Sequence, residues 1–351
     1  MSGAEPQIRI DQLTGSRVIL AAARSERPFD FAVGLRRARK ADTCPFCEGR
    51  EETTPGESWA DRPGGGAPNS PGWRVRAVPN LYPALAGEDA GPTRREEAYA
   101  AGADPLRASS RGPVEDLFGS TRAAGLHEVI VHSPRHVTSL AELSEEELTV
   151  AVDGWRLRMR EQMDAGAAYC QLIVNEGPAA GASLEHSHAQ LYALSFVPAL
   201  IARERERFTA HYQRTQGGEL LSDVAAEEVR LRERLVAIDG EAMLVCPWAS
   251  RGPFELRLIP RRSAPSFEAV GEAGMEMLFT AYRALGERFG AVPELNLWVR
   301  TAPRGAEQFH WHIDILPKLS HMAGFELSTG IDINIWPPER AAAELRDCLA
   351  R

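Results

Sequence analysis

Residues 175–192 read NEGPAAGASLEHSHAQLY, and this stretch decides how the chain is interpreted. Polar and apolar residues alternate in its second part, which predicts a half-buried strand because successive strand side chains point to opposite faces. His186, His188 and Gln190 therefore share one face of that strand. The small residues of 177–181 predict a tight loop just before it, where backbone amides can approach a phosphate closely. The stretch combines two imidazoles and an amide with a loop suited to an anion.

The same order of parts occurs twice in the chain. From His127 to Leu194 the sequence predicts a strand, a basic segment, an amphipathic helix, a strand, a small-residue loop and a final strand that opens with His-Ser-His. From Pro253 to Pro317 the order repeats, and the last strand opens with His-Trp-His. An ancestral duplication explains both copies, so the sequence predicts an α+β fold of two halves.

Length and charge limit the classes of protein that fit. A chain of 351 residues is too long for one small core, and we expect two domains, 1–195 and 196–351. The net charge of −9 argues against a nucleic-acid partner, since such proteins are usually basic. No apolar run approaches the roughly 18 residues of a membrane helix, and no signal-peptide pattern opens the sequence. We therefore expect a cytoplasmic protein with neither membrane nor nucleic-acid partners.

Cys44-Pro-Phe-Cys47 is the one close cysteine pair among five cysteines. Two thiolates with this spacing can hold one tetrahedral cation, although a redox role and no role at all are alternatives. A zinc site of the Cys₂His₂ kind needs two imidazoles in addition. Spacing alone does not choose among the histidines of the same half, which are His127, His132, His136, His186 and His188.

His188 is the candidate nucleophile. A neutral imidazole is well populated at neutral pH and attacks phosphorus readily. Gln190 can donate to a phosphoryl oxygen without supplying a titratable proton, which favours transfer of a covalent intermediate over hydrolysis. A His-x-His metal pair without catalysis is the alternative interpretation. Further candidates for phosphate contacts are Asn175, Ser183, Arg24 and Arg27.

Once these motifs are assembled, the chain resembles the galactose-1-phosphate uridylyltransferase family of the histidine-triad superfamily, including its ADP-glucose phosphorylase branch. The active-site strand GASLEHSHAQ carries the strongest resemblance. Further ordered matches span nearly the whole chain: LTGSRVILAAARSERP (13–28), CPFC (44–47), VPNLYPAL (78–85), HSPRHVTSLAELS (132–144), FHWHIDILPKL (309–319) and GFELSTGIDINIWPPERAAAELR (324–346). The resemblance implies two histidine-triad-like halves, each an antiparallel sheet with helices.

The resemblance also implies a role for each matching position. The nucleophile would be His188, with Gln190 on the transferred phosphoryl group. One structural zinc would be held by Cys44, Cys47, His136 and His186. Nucleotide, phosphate or hexose contacts would come from Arg24, Arg27, Asn80, Asn175, Ser183, Phe325 and Glu326.

The implied reaction is a ping-pong exchange of a nucleoside monophosphate between a nucleotide sugar and a sugar 1-phosphate. UDP-glucose with galactose 1-phosphate is the leading pair, and the family commonly forms a homodimer with shared active sites. Ser187 departs from the proline usual in uridylyltransferases and matches the ADP-glucose phosphorylase branch, so adenylyl transfer is the alternative. Asp332 stands where hexose-contacting residues vary among members, which leaves the sugar open.

A second metal site occurs in some members of the family. Glu204, His310 and His312 match three of its ligands, but Arg300 replaces the fourth, a histidine. A guanidinium does not ligate cations, so we predict that the second site is absent and that Arg300 pairs with Glu204. Two other classes stay open from the sequence: a histidine-triad nucleotide hydrolase, which Gln190 disfavours, and a non-catalytic zinc-stabilised binding module.

Overall fold

The computed structural model describes residues 5–26, 43–85, 122–271 and 274–350. Strands in these residues form one three-stranded and one ten-stranded sheet. The strands are β1 (Gln7–Ile10), β2 (Arg17–Leu20), β3 (Trp59–Asp61), β4 (Val75–Pro79), β5 (Gly125–Val131), β6 (Tyr169–Glu176), β7 (His188–Leu194), β8 (Leu235–Ile238), β9 (Ala242–Val245), β10 (Leu256–Pro260), β11 (Leu295–Arg300), β12 (His312–Pro317) and β13 (Asp332–Asn334).

The ten-stranded sheet displays the duplication directly. Its order is β3-β4-β5-β7-β6-β11-β12-β10-β9-β8, so each half contributes five strands in the same relative arrangement. The halves meet where β6 pairs antiparallel with β11, and Asn175 lies directly opposite Asn296. The predicted α+β class with two antiparallel halves is confirmed. The halves share a single continuous sheet, which the sequence pattern did not indicate.

The two long amphipathic helices of the repeat cover one face of this sheet. Ser144 caps the first of them, since its hydroxyl accepts from the Glu147 N–H and the Glu147 carboxylate accepts from the Ser144 N–H. Trp155 and Leu278 are fully buried in the shared core between helices and strands. The helices are α1 (Glu145–Asp164), α2 (Ala199–Thr215), α3 (Leu220–Leu231), α4 (Met275–Phe289), α5 (Gly324–Thr329) and α6 (Pro338–Leu349).

The small sheet joins the start of the chain to its end. β2 pairs antiparallel with β1 and parallel with β13. Arg9 adds an ion pair with Glu339 at 2.8 Å and donates to the Trp248 carbonyl at 3.0 Å. The N-terminal strands thus pack on the C-terminal half, and the division at residues 195 and 196 stays a prediction. No helix in the described part of the chain combines the length and apolarity that crossing a membrane requires.

Candidate active site and metal centre

The face of the sheet opposite α1 and α4 carries the polar residues of the central strands. In β7, Ala189 and Leu191 join the helix-side core. His188 and Gln190 alternate with them and project to the other face, as the sequence pattern predicts. The same alternation places Asn175 of β6 on this polar face.

Four residues far apart in the sequence converge into one metal-ligand cluster. The ligand atoms of Cys44, Cys47, His136 and His186 all lie within 4.8 Å of one another. Cys44 Sγ is 3.4 Å and Cys47 Sγ is 3.7 Å from His186 Nδ1, and Cys47 Sγ is 3.4 Å from His136 Nδ1. Typical Zn–S and Zn–N bonds place tetrahedral sulfur and nitrogen ligands about 3.6 Å apart. The spacing therefore fits one tetrahedral cation.

The surroundings of the cluster favour a bound cation. His186 Nε2 donates to the Ser133 carbonyl at 2.9 Å, so Nδ1 carries the lone pair that faces the sulfur atoms. Burial and the adjacent Cys44 thiol raise the pKa of Cys47 to about 12. Two neighbouring thiols do not both ionise at neutral pH without a compensating positive charge. A soft divalent cation would supply that charge.

His188 is held with one specific nitrogen available for attack. Its Nδ1 lies 2.7 Å from the His186 carbonyl oxygen, which only accepts, so Nδ1 carries the hydrogen and Nε2 the lone pair. Burial lowers the pKa of His188, so the neutral, nucleophilic form prevails near pH 7. The ring also packs edge-on against Phe46, with centroids 5.3 Å apart. Because Phe46 stands between Cys44 and Cys47, the turn that carries the two cysteines directly contacts His188, the candidate nucleophile.

Gln190 is oriented by two side chains. Tyr192 donates its hydroxyl to Gln190 Oε1 at 3.0 Å. His127 accepts the Ala84 N–H at Nδ1, so its Nε2–H donates to the same oxygen at 3.0 Å. Because Oε1 already accepts two hydrogen bonds, the Gln190 NH₂ group is the end that can donate on the polar face. The Asn80 side chain lies beside His127, with Nδ2 3.1 Å from His127 Nε2. Both nitrogens carry hydrogen, so this is a packing contact, and Asn80 Oδ1 accepts the Tyr82 N–H at 2.9 Å.

The remaining predicted contact residues are spread more widely. Ser183 is exposed in the loop that precedes β7, and Arg24 is exposed just after β2. Arg27 lies outside the described residues. Phe325 is exposed on α5, and the Glu326 carboxylate accepts the Ala323 N–H at 3.0 Å. These substrate roles stay predictions.

The segment predicted to contact the hexose lies on the C-terminal half. Close to it, Asp332 lines a cavity of about 130 Å³ together with Arg251 and His312, whereas His188 does not line this cavity.

The sequence interpretation missed the side chains that support His188 and Gln190. Phe46 and Tyr192 were signalled only by their proximity to a motif, and His127, named as a possible metal ligand, instead contacts Gln190. Ser187 has a partner of its own. Trp155 donates to His132 Nε2 at 3.0 Å, so His132 Nδ1–H donates to Ser187 Oγ at 2.9 Å. A serine between the two histidines is thus tied to the helix-side core.

The residues matching a second metal site surround the buried Glu204 carboxyl group. Arg300 Nε lies 3.8 Å from one Glu204 oxygen, which is the predicted pairing, and His312 Nε2 lies 3.6 Å from the other. Burial raises the pKa of Glu204 to about 7, although Arg300 and Arg257 oppose this effect. In the part of the chain that the structure describes, the Cys44 cluster is the group of convergent metal ligands. The absence of a second metal stays a prediction.

Comparison with known proteins gives the family. Residues 2–198 match the model of the galactose-1-phosphate uridyl transferase N-terminal domain, which is more than half of the chain. The chain belongs to the galactose-1-phosphate uridylyltransferase family. Membership confirms the predicted family and the broad class of nucleotidyltransferase.

Relatives of this chain are named for two different activities. The chain is 26% identical to ADP-glucose phosphorylase from Arabidopsis thaliana, over 97% of this chain and 93% of the relative. It is 27% identical to galactose-1-phosphate uridylyltransferase from Cryptococcus neoformans, over 97% and 90% respectively. The solved ADP-glucose phosphorylase from Arabidopsis thaliana with bound ADP-glucose superposes with a TM-score of 0.76 at 25% identity, covering 98% of this chain and 99% of that one.

Proposed function

We propose that this chain transfers a nucleoside monophosphate between a nucleotide sugar and a sugar 1-phosphate through a covalent nucleotidyl-His188 intermediate. UDP-glucose and galactose 1-phosphate are the proposed pair. The observation that carries the proposal is the hydrogen bond from His188 Nδ1 to the His186 carbonyl. It leaves the Nε2 lone pair as the nucleophile of a buried, neutral imidazole.

The reaction then proceeds in two displacements. His188 Nε2 attacks the phosphorus attached to the nucleoside, a P–N bond forms, and the bond to the sugar 1-phosphate breaks. An oxygen of a second sugar 1-phosphate attacks the same phosphorus, and the imidazole leaves. Gln190 and Asn175 donate amide hydrogens to the phosphoryl oxygens, where negative charge increases in each transition state. The proton on His188 Nδ1 stays on that nitrogen and is donated to the His186 carbonyl throughout.

We propose zinc for the cluster of Cys44, Cys47, His136 and His186. Four protein ligands leave no position for substrate, so its role would be structural. The ion would fix His186, whose carbonyl orients His188, and Phe46, which packs on the same ring.

Adenylyl transfer of the ADP-glucose phosphorylase kind is the second candidate. The Arabidopsis thaliana relative and the structure with bound ADP-glucose support it, as does Ser187 between the two histidines. A homodimer with shared sites is also part of the proposal. The exposure of Phe325 and Arg24 supports it, because contact residues supplied to a partner subunit face outward in one chain.

The test uses UDP-glucose and ADP-glucose, each carrying ³²P on the phosphate next to the nucleoside. We expect acid-labile label on the protein from one of them, which identifies the nucleotide, and loss of label in His188→Gly. Imidazole added to that variant should restore cleavage and produce a soluble nucleotidyl imidazole. Unlabelled wild-type protein, or a labelled His188→Gly variant, would refute the proposal.

A further inference from the structure

The C-terminal half reaches into the phosphate-binding loop of the N-terminal half. Asn296, on β11, faces Asn175 across the junction of the two halves. One hydrogen of Asn296 Nδ2 is donated to Asn175 Oδ1 at 2.7 Å, and the other to the Ala180 carbonyl at 2.7 Å. A single side chain thus holds both the strand residue and the loop that follows it.

This arrangement decides which end of the Asn175 amide is offered to a ligand. Its oxygen is occupied by Asn296, so its NH₂ group is the end left to donate. That group lies beside Gly181, where an added Cβ would be 3.9 Å from Asn175 Nδ2. Without Asn296, rotation of the Asn175 amide by a half turn would exchange donor and acceptor at little cost.

A second attachment fixes the same loop from the same strand region. The Glu294 carboxylate accepts the Ala179 N–H, and its side chain covers Gly177, which is buried with φ +87°. The loop of residues 177–181 is therefore tied to Glu294 and Asn296, both from the C-terminal half. That half carries no counterpart of Gln190, since Asp314 stands at the matching position of β12.

We propose that Asn296 is a positioning residue for nucleotidyl transfer, acting through Asn175 and the loop of residues 177–181. It keeps the Asn175 NH₂ group directed at the phosphoryl oxygens and holds the loop at a fixed distance from His188. The inference rests on the proposed function, and it assigns the C-terminal half a part in the site of the N-terminal half.

Gln171 supplies a matched control. It lies on β6 near the same junction, and its Nε2 donates to the carbonyls of Leu172 and Val299 at 3.0 and 3.1 Å. Gln171 Oε1 also accepts the Tyr169 hydroxyl at 3.2 Å. Gln171→Ala therefore removes three hydrogen bonds, one more than Asn296→Ala, without touching Asn175 or the loop. The measurement is the single-turnover rate of protein labelling at saturating and at limiting nucleotide sugar, with urea unfolding of every variant.

We expect Asn296→Ala to lower the saturating rate by about ten- to a hundredfold, as loss of substrate orientation does. Gln171→Ala should stay within about twofold of wild type. In an Asn175→Ala background, Asn296→Ala should lower the rate by a clearly smaller factor than in the wild-type protein, because only its hydrogen bond to the Ala180 carbonyl is then left to lose. Asn296→Asp keeps the shape but accepts from the Asn175 NH₂ group, so it should be at least as slow as Asn296→Ala.

Equal rates for Asn296→Ala and Gln171→Ala would overturn the inference while the proposed function stands. Additive effects of Asn175→Ala and Asn296→Ala would also overturn it, since they would indicate independent roles. If the wild-type protein took no label, the proposed function would fail, and this inference with it. If Asn296→Ala proves too unstable to measure, Asn296→Asp replaces it, because aspartate has nearly the same shape as asparagine. A wild-type labelling rate in Asn296→Asp would overturn the inference.

Discussion

Replacing Gly177 by alanine tests how tightly the two halves meet at the phosphate loop. Gly177 has φ +87° and ψ 160°, a backbone conformation that is essentially restricted to glycine. An added Cβ would lie 2.5 Å from Glu294 Cδ and 2.8 Å from its Oε2. Glu294 would have to move, which breaks its hydrogen bond to the Ala179 N–H.

The expected cost is the sum of these two effects. A non-glycine residue in such a conformation costs about 1–3 kcal/mol. The hydrogen bond between the Ala179 N–H and Glu294 is exposed, so its loss adds about 0.5–1.5 kcal/mol. Gly177→Ala should therefore lower the free energy of unfolding by roughly 1.5–4.5 kcal/mol. In a Glu294→Ala background only the backbone effect remains, so the same change should cost about 1–3 kcal/mol.

Urea unfolding of the two single variants and the double variant measures both numbers. Gly181→Ala is the control, since Gly181 also has positive φ but an added Cβ would meet only Asn175 Nδ2, at 3.9 Å. The reasoning is refuted if Gly177→Ala destabilises no more than Gly181→Ala. It is equally refuted if the cost of Gly177→Ala is the same with and without Glu294.

Two further predictions concern a buried carboxyl group and the metal-binding turn. The pKa of Glu204 is raised to about 7 from 4.5, so its contribution to stability is present below pH 4.5 and is lost as the pH rises to 7. Relative to Glu204→Gln, the wild-type free energy of unfolding should fall by about 3 kcal/mol between pH 4.5 and 8; a constant difference in urea unfolding would contradict this. Phe46→Ala should retain one bound zinc, measured by atomic absorption, because Phe46 is not a ligand. Labelling of His188 should slow at least about tenfold, because the His188 ring loses its packing against Phe46. An unchanged labelling rate would contradict a role of Phe46 in positioning His188.

Local patterns in the sequence predicted which side chains share a strand face and that the chain has two similar halves. The two-residue period after residue 185 placed His188 and Gln190 on one face, and the structure has them there. The repeat predicted two halves of the same class, and the strand order confirms it. Both inferences needed only neighbouring residues or the comparison of one segment with another.

Such local patterns did not predict contacts between residues that are far apart in the sequence. Spacing left five histidines as partners for Cys44 and Cys47, and the fold brings together His136 and His186, the pair that the family resemblance implied. Cys44 and His186 are 142 positions apart. Nothing local in either segment encodes that proximity, because it arises from the way the core packs the strands.

The sequence by itself determined which groups can act: an imidazole nucleophile, an amide donor, two thiols and a loop of small residues. Only the tertiary structure decided which nitrogen of His188 is free, and which end of the Asn175 amide faces the site. It also showed that one continuous sheet joins the halves at β6 and β11. The physical reason is that residue types and strand faces follow from the local chain, whereas hydrogen-bond direction and strand partners depend on groups that folding brings from distant positions.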